Sequence, residues 1–298
     1  VRKMKKLFLT LLILVPTLSS ALSAEVVAPF AYPEDENTVW FKSLLESKKS
    51  QTLTDSEKNE LMMRSRSSNI NIWLGLTQED PHARSILLDV LIEDICNHNY
   101  EYIQTLLYRT LPEEYSETDR MKMARLISEF SAENFRRSSG IEPLMLAGYM
   151  GIPEAHELAK KWLPPLGKIQ LSRLEWAAIV VCTRFGDQDR VEQIIEITET
   201  YNQRKRPIIF VVPYDNYLFL TKSKDVFEYL LEILGQENIR LSEGHFWGTA
   251  EKAKFALQWM VVESDETFEN LIQGFFPNME RKEELLKWWK TEPSITFR

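Results

Sequence analysis

Four histidines and two cysteines are scattered through the 298 residues, and no two histidines lie close enough in sequence to suggest a paired metal site. His-Glu-x-x-His, Cys-x-x-Cys, Gly-x-Ser-x-Gly and a glycine-rich phosphate loop are all missing. These absences point away from the common hydrolase, redox and nucleotide-binding chemistries, so no catalysis, no cofactor and no metal are expected. Positive charge is also short, with 36 basic against 44 acidic side chains and a formal net charge of −8. Phosphate backbones are repelled by such a chain, and no long basic stripe opposes that, which excludes nucleic acid as an expected partner. The one dense basic run, Arg204-Lys205-Arg206, precedes Pro207 and reads as a solvated connection. Strand-type alternation is nearly absent; the β-prone run RPIIFVVPY, residues 206–214, is placed in an ordered connection.

What the sequence does contain begins with a leader. Residues 1–24 carry Arg2, Lys3, Lys5 and Lys6, an apolar run from Leu7 to Val15, and small residues around Ala21 and Ala24. This is the three-part form of a secretory signal peptide, with cleavage expected near Ser23 or Ala24. Nine apolar residues are too few to cross a hydrocarbon core ~30 Å thick as a helix, so no stable membrane anchor is expected. Its removal takes away four positive charges and no negative ones, moving the net charge from −8 to −12. A periplasmic or secreted location is expected.

From residue 36 onward nearly every segment is amphipathic with helical spacing, and one pattern recurs. Turns are expected at His98, Gly151, Gly186, Lys222 and Glu263, separated by 53, 35, 36 and 41 residues. Five residues after each turn stand Ile103, His156, Val191, Phe227 and Phe268; eight after stand Leu106, Ala159, Ile194, Leu230 and Leu271. Nine after stand Leu107, Lys160, Ile195, Leu231 and Ile272, and these offsets share one helix face. Six after come Gln104, Glu157, Glu192, Glu228 and Glu269, assigned to solvent. Ahead of the turns lie the apolar segments DVLIEDI, PLMLAGY, AAIVVCT, YLFLT and FALQWMVV. The unit is helix, turn, helix, and the longest spacing holds an extra helix within TDRMKMARLISEFSAENFRR. Capping boxes are expected at Thr54/Glu57 and Ser172/Glu175, and Pro153 fits a first helical turn. Each pair leaves an apolar face that only the next pair can cover. The fold class is therefore all-α, an α-solenoid of stacked pairs. Residues 25–77 are an N-terminal helical cap, 78–275 the repeats and 276–298 a C-terminal capping helix.

The segment Gly140 to Leu158 resembles an ankyrin repeat through Gly140, Pro143, Leu144, Ala147 and the mid-repeat Gly151, and AAIVVCTRFGDQDRVEQIIE is similar through Gly186, Val191, Ile194 and Ile195. Residues 152–162, IPEAHELAKKW, are also similar to the second helix of Sel-like repeats, relatives of the tetratricopeptide family, through Ile152, Pro153, Ala159 and Trp162. The ankyrin-like resemblance is the better of the two. It implies a partner met on the concave side, which carried onto this chain names Glu142, Met145, Tyr149, Met150 and Arg184.

Among the remaining residues, Cys96 and Cys182 fall in pairs separated by another pair, which exceeds the ~7 Å Cα limit of a disulfide, so both are expected as buried thiols. His156 is expected in or near the core, and His245, beside Glu243 in LSEGHFWG, lacks a nucleophile or metal partner. Trp162, Trp176 and Trp259 are expected to pack between pairs, whereas Trp288 and Trp289 cannot both face inward. The functional expectation is an exported, monomeric, non-catalytic helical-repeat module that binds another protein in the cell envelope. The alternatives are a cell-envelope hydrolase with an unidentified carboxylate pair and a scaffold that assembles with itself.

Overall fold

At His98, Gly151, Gly186 and Lys222 the backbone turns left-handed, with φ of 68°, 75°, 93° and 53°. The computed structural model describes residues 35–48, 52–130, 141–203, 217–233, 249–263, 268, 272, 279–291 and 293–298. Among these, His98 and Lys222 are the only non-glycine residues with positive φ. Three of the turns close with the same two hydrogen bonds. The left-handed residue's N–H donates to the carbonyl three back: His98 to Ile95 at 2.9 Å, Gly151 to Gly148 at 3.0 Å and Gly186 to Thr183 at 3.0 Å. The following N–H donates to the carbonyl five back: Asn99 to Asp94 at 3.1 Å, Ile152 to Ala147 at 3.0 Å and Asp187 to Cys182 at 3.1 Å. This Schellman ending satisfies carbonyls that a terminating helix would otherwise strand.

The described chain is predominantly helical, and it divides into Val1–Ser47 and Lys48–Arg298. In the first unit α1 (Glu36–Ser47) buries Thr38, Phe41 and Leu44, at helical spacing. The second unit holds α2 (Asp55–Ser65), α3 (Ile70–Leu76), α4 (Pro81–Cys96), α5 (Ile103–Arg109) and α6 (Glu117–Ser128). It continues with α7 (Ile141–Tyr149), α8 (Pro153–Lys160), α9 (Arg173–Arg184), α10 (Gln188–Gln203) and a 3-10 turn (Leu218–Thr221). Last come α11 (Lys224–Ile233), α12 (Thr249–Met260), β1 (Val261–Glu263), α13 (Met279–Trp289) and β2 (Thr296–Phe297). No helix among the described residues is long and apolar enough to cross a membrane.

Local chemistry explains the helix starts. Thr54/Glu57 and Ser172/Glu175 form full capping boxes, and so do Ser116 and Asp119, a third one in which the shorter Asp replaces Glu. Asp80 accepts from the N–H groups of His82 and Ala83 at 3.0 Å each, with Pro81 opening α4. Pro153 likewise opens α8.

The principal packing runs between near neighbours in chain order. α7 packs on α5, α6, α8 and α9; α9 on α8, α10 and the 3-10 turn; that turn on α12; and α11 on α10, α12 and α13. α7 and α9 approach so closely that a Cβ on Gly148 would sit 2.7 Å from a Val181 methyl. The inward offsets hold for Ile103, Leu106, Leu107, Ala159, Val191, Ile194, Phe227, Leu230, Leu231, Phe268 and Ile272, all buried. Gln104, Glu157, Glu192 and Glu228 are exposed as assigned. Lys160 is exposed, Ile195 and His156 are half-buried, and Leu271 and Glu269 lie outside the described residues.

Several expectations need correction. Glu263 makes no left-handed turn; the β-branched pair before it joins β1, which runs antiparallel to β2 with Val261 opposite Phe297. The segment after α13 is therefore partly extended rather than wholly a capping helix. Cys96 is half-buried, not buried, although both thiols are free as expected. Trp176 and Trp288 are buried, whereas Trp162, Trp259 and Trp289 are half-buried. The leader, Arg204–Arg206, residues 206–214, Gly140 and His245 lie outside the described residues.

Candidate functional site

Glu142, Met145, Tyr149, Met150 and Arg184 come from α7, the turn after it and the end of α9. Met145, Tyr149 and Met150 are each only 1 % exposed. As a freely accessible surface these three are a correction, because α7 is enclosed by four helices and because the chain's own residue 298 lies over Tyr149. Glu142 is half-buried, with Oε1 3.5 Å from Arg173 and Oε2 buried without a hydrogen-bond partner.

Arg298 supplies the cover over Tyr149. Its Nε donates to the Tyr149 hydroxyl at 2.9 Å, and its Nη2 donates to the carbonyls of Tyr108 and Thr110, both at 2.9 Å. Its guanidinium carbon stands 5.3 Å from the centroid of Trp259, a cation–π arrangement. The backbone N–H of Arg298 donates to Met260 at 2.7 Å, continuing the β1–β2 pairing. Arg184 donates from Nη1 to the carbonyls of Leu220 and Arg298, both at 2.9 Å, with its own guanidinium 4.8 Å over the Tyr149 ring. Desolvation brings the Arg184 guanidinium down to about 10. The Tyr149 hydroxyl in turn donates to Thr110 at 2.6 Å. Two cations, two aromatic faces and five backbone carbonyl oxygens thus meet on the row expected to receive a partner.

A second constellation forms one step further along. Gly186 permits the left-handed turn that folds Asp187 back over the end of α9, beside Cys182, whose carbonyl takes the Asp187 N–H. The preceding pair contributes His156 from α8. Its Nε2 lies 3.1 and 3.2 Å from the two Asp187 carboxylate oxygens, and its ring stacks on Phe185 at 4.5 Å with 3° between planes. Imidazole, thiol and carboxylate donor atoms lie within 4.8 Å of one another. Cys182 is fully buried, and burial, then the charge of Asp187, pushes its thiol up to about 12. As a free thiol it is a poor nucleophile. Imidazole, thiolate and carboxylate together are a donor set that zinc-like cations accept.

The same two backbone positions face each other in the first turn, where Asn99 Nδ2 donates to Asp94 Oδ2 at 2.7 Å. There the buried Asp94 also receives Arg66. Sequence spacing marks His156 and Cys182 only one at a time and leaves Asp187 unmarked, because the three are brought together by packing and not by spacing.

Trp289, the outward member of its pair, lines a cleft of about 580 Å³ with Lys224, Glu228, Pro293 and Phe297, and the Lys224 ammonium lies 5.3 Å over its ring.

Compared with protein families, with curated proteins and with solved structures, the chain finds no match.

Proposed function

We propose that this chain is an exported, ankyrin-like α-solenoid that recognises another protein and performs no catalysis of its own. The observation that supports this most is the threefold recurrence of one Schellman turn, at His98, Gly151 and Gly186, between helices that dock on their neighbours in chain order. Repeated pairs present rows built from equivalent positions, which suits extended recognition rather than a single reacting centre. The partner-facing row in this reading runs through Glu142 and Arg184. In this reading a partner reaches Tyr149 only by displacing Arg298, while Met145 and Met150 support the row from within the packed helices. The basic–apolar–small pattern of residues 1–24 supports export to the periplasm or beyond.

The test is site-directed photocrosslinking in living cells that express the full chain. A crosslinking residue at Glu142 or Arg184 is expected to trap one discrete protein, while the same residue at Glu157 or Glu192, on the second helices, traps none. Equal adducts from both rows, or none from either, would overturn the assignment. Fractionation of cells carrying the chain with and without residues 1–24 tests export separately.

A further inference from the structure

We propose that His156, Cys182 and Asp187 bind one divalent transition-metal ion, zinc by the chemistry of the donors, and thereby clamp two successive helix pairs together. The site goes beyond the recognition reading above and does not depend on it. Its three side chains come from α8, from the last turn of α9 and from the turn that follows, so a shared ion would tie one pair to the next.

His156 and Asp187 stand at hydrogen-bond distance, and with the Cys182 thiol beside them the same geometry accommodates an ion. Zinc bonds of ~2.0–2.3 Å place tetrahedral ligand atoms roughly 3.3–3.8 Å apart. The His156–Asp187 separations of 3.1 and 3.2 Å are close to that, and the widest spread of 4.8 Å closes by modest side-chain rotation. The backbone beneath the site is fixed by the Asp187-to-Cys182 hydrogen bond, and the imidazole plane is fixed by its stack on Phe185. Thiolate and imidazole discriminate against magnesium and calcium, which prefer oxygen. Three protein ligands leave one position, and it points outward, since the His156 and Asp187 side chains are 17 % and 31 % exposed while Cys182 is sealed. A water molecule completes four-coordination there.

Binding requires the Cys182 thiol to lose its proton to solvent as the sulfur–metal bond forms, one proton per ion. Lys160 on α8 and Arg190 on α10 lie close enough to favour the thiolate electrostatically. The metal–sulfur bond replaces a protonated thiol whose charge the buried site otherwise disfavours.

The experiment is a cobalt(II) titration of the reduced, full chain, followed by absorption. The expected result is one equivalent bound, a near-ultraviolet thiolate-to-cobalt charge-transfer band, intense visible bands of four-coordinate cobalt, and loss of both on adding zinc. Cys96→Ser should keep the bands and Cys182→Ser should abolish the charge-transfer band. His156→Gln and Asp187→Asn should weaken binding by more than the ~10–100-fold that loss of an outer-shell partner costs. No charge-transfer band in the unaltered chain, a band that survives Cys182→Ser, or a band lost in Cys96→Ser would overturn the proposal. Should Cys182→Ser fail to fold by circular dichroism, the two outer variants decide, and unchanged affinity in both overturns it.

Discussion

Tyr149 and Arg298 are 149 positions apart in sequence and 2.9 Å apart across a hydrogen bond. The tyrosine accepts from that guanidinium while donating to Thr110, so it joins the middle of the stack to the residue at which the described chain ends. Replacing Arg298 by Ala removes three side-chain hydrogen bonds and a cation–π contact while leaving Tyr149 bonded to Thr110. A loss of about 1–3 kcal/mol is expected, limited by the partial exposure of the arginine. Urea unfolding of the variant against the unaltered chain measures it.

Gly148 sets the distance between α7 and α9. Alanine there gains up to ~1 kcal/mol of helix propensity but drives a methyl group into Val181, so a net loss of about 1–3 kcal/mol is expected. Combining Gly148→Ala with Val181→Ala should recover part of that loss. A strictly additive double variant in a thermodynamic cycle would show that the two positions do not touch.

The left-handed turns make opposite predictions at two places. Nothing lies within 4 Å of a Cβ built on Gly186, so Gly186→Ala tests backbone strain alone and should cost about 1 kcal/mol. Lys222 already carries that strain at φ 53°, and Lys222→Gly should be stabilising by up to ~1 kcal/mol. Thermal unfolding of the two single variants reads the signs directly.

Ile194 and Glu192 stand two residues apart on α10 and face opposite ways. Ile194→Ala opens a cavity in the core and should cost ~2–5 kcal/mol. Glu192→Ala, on the exposed face, should change stability little. A larger loss at the glutamate would reverse the assigned face.

In the metal-free chain, Cys182 links alkaline pH to stability. Its thiol rises from an ordinary value of 9.0 to about 12 on folding, through burial and then the nearby Asp187, with Lys160 and Arg190 opposing. The folded chain therefore holds this proton more tightly than the unfolded one. The stability that follows is present in full below about pH 9 and is lost as pH rises toward about 12. Cys182→Ala should flatten the alkaline slope of stability relative to the unaltered chain, a difference measured by denaturant titration at stepped pH.

The turns were legible in the sequence because each combines a helix-period apolar face with a residue that interrupts it. Gly151 and Gly186 announce this by their lack of a Cβ, whereas His98 and Lys222 share with the glycines only the phase of the pattern. Glu263 matched the same phase and still failed, because Val261 and Val262 pair with a distant segment, and a local pattern carries no record of that segment. Concealment of Tyr149 has the same origin: nothing near residue 149 mentions residue 298. His156 was marked by its departure from the aliphatic residues at its offset. Its partners were hidden because one stacking step places that offset over the following turn, where Phe185, Asp187 and Cys182 wait.

Because the main packing joins elements close in the chain, most of the architecture costs little loop-closure entropy to assemble, and the middle pairs are free to form early. The ties from Arg298 to Tyr108, Thr110 and Tyr149 are of the opposite kind, since they reward the chain only after everything between has been laid down. Arg298 works as a keystone set over the side where α7 meets its neighbours.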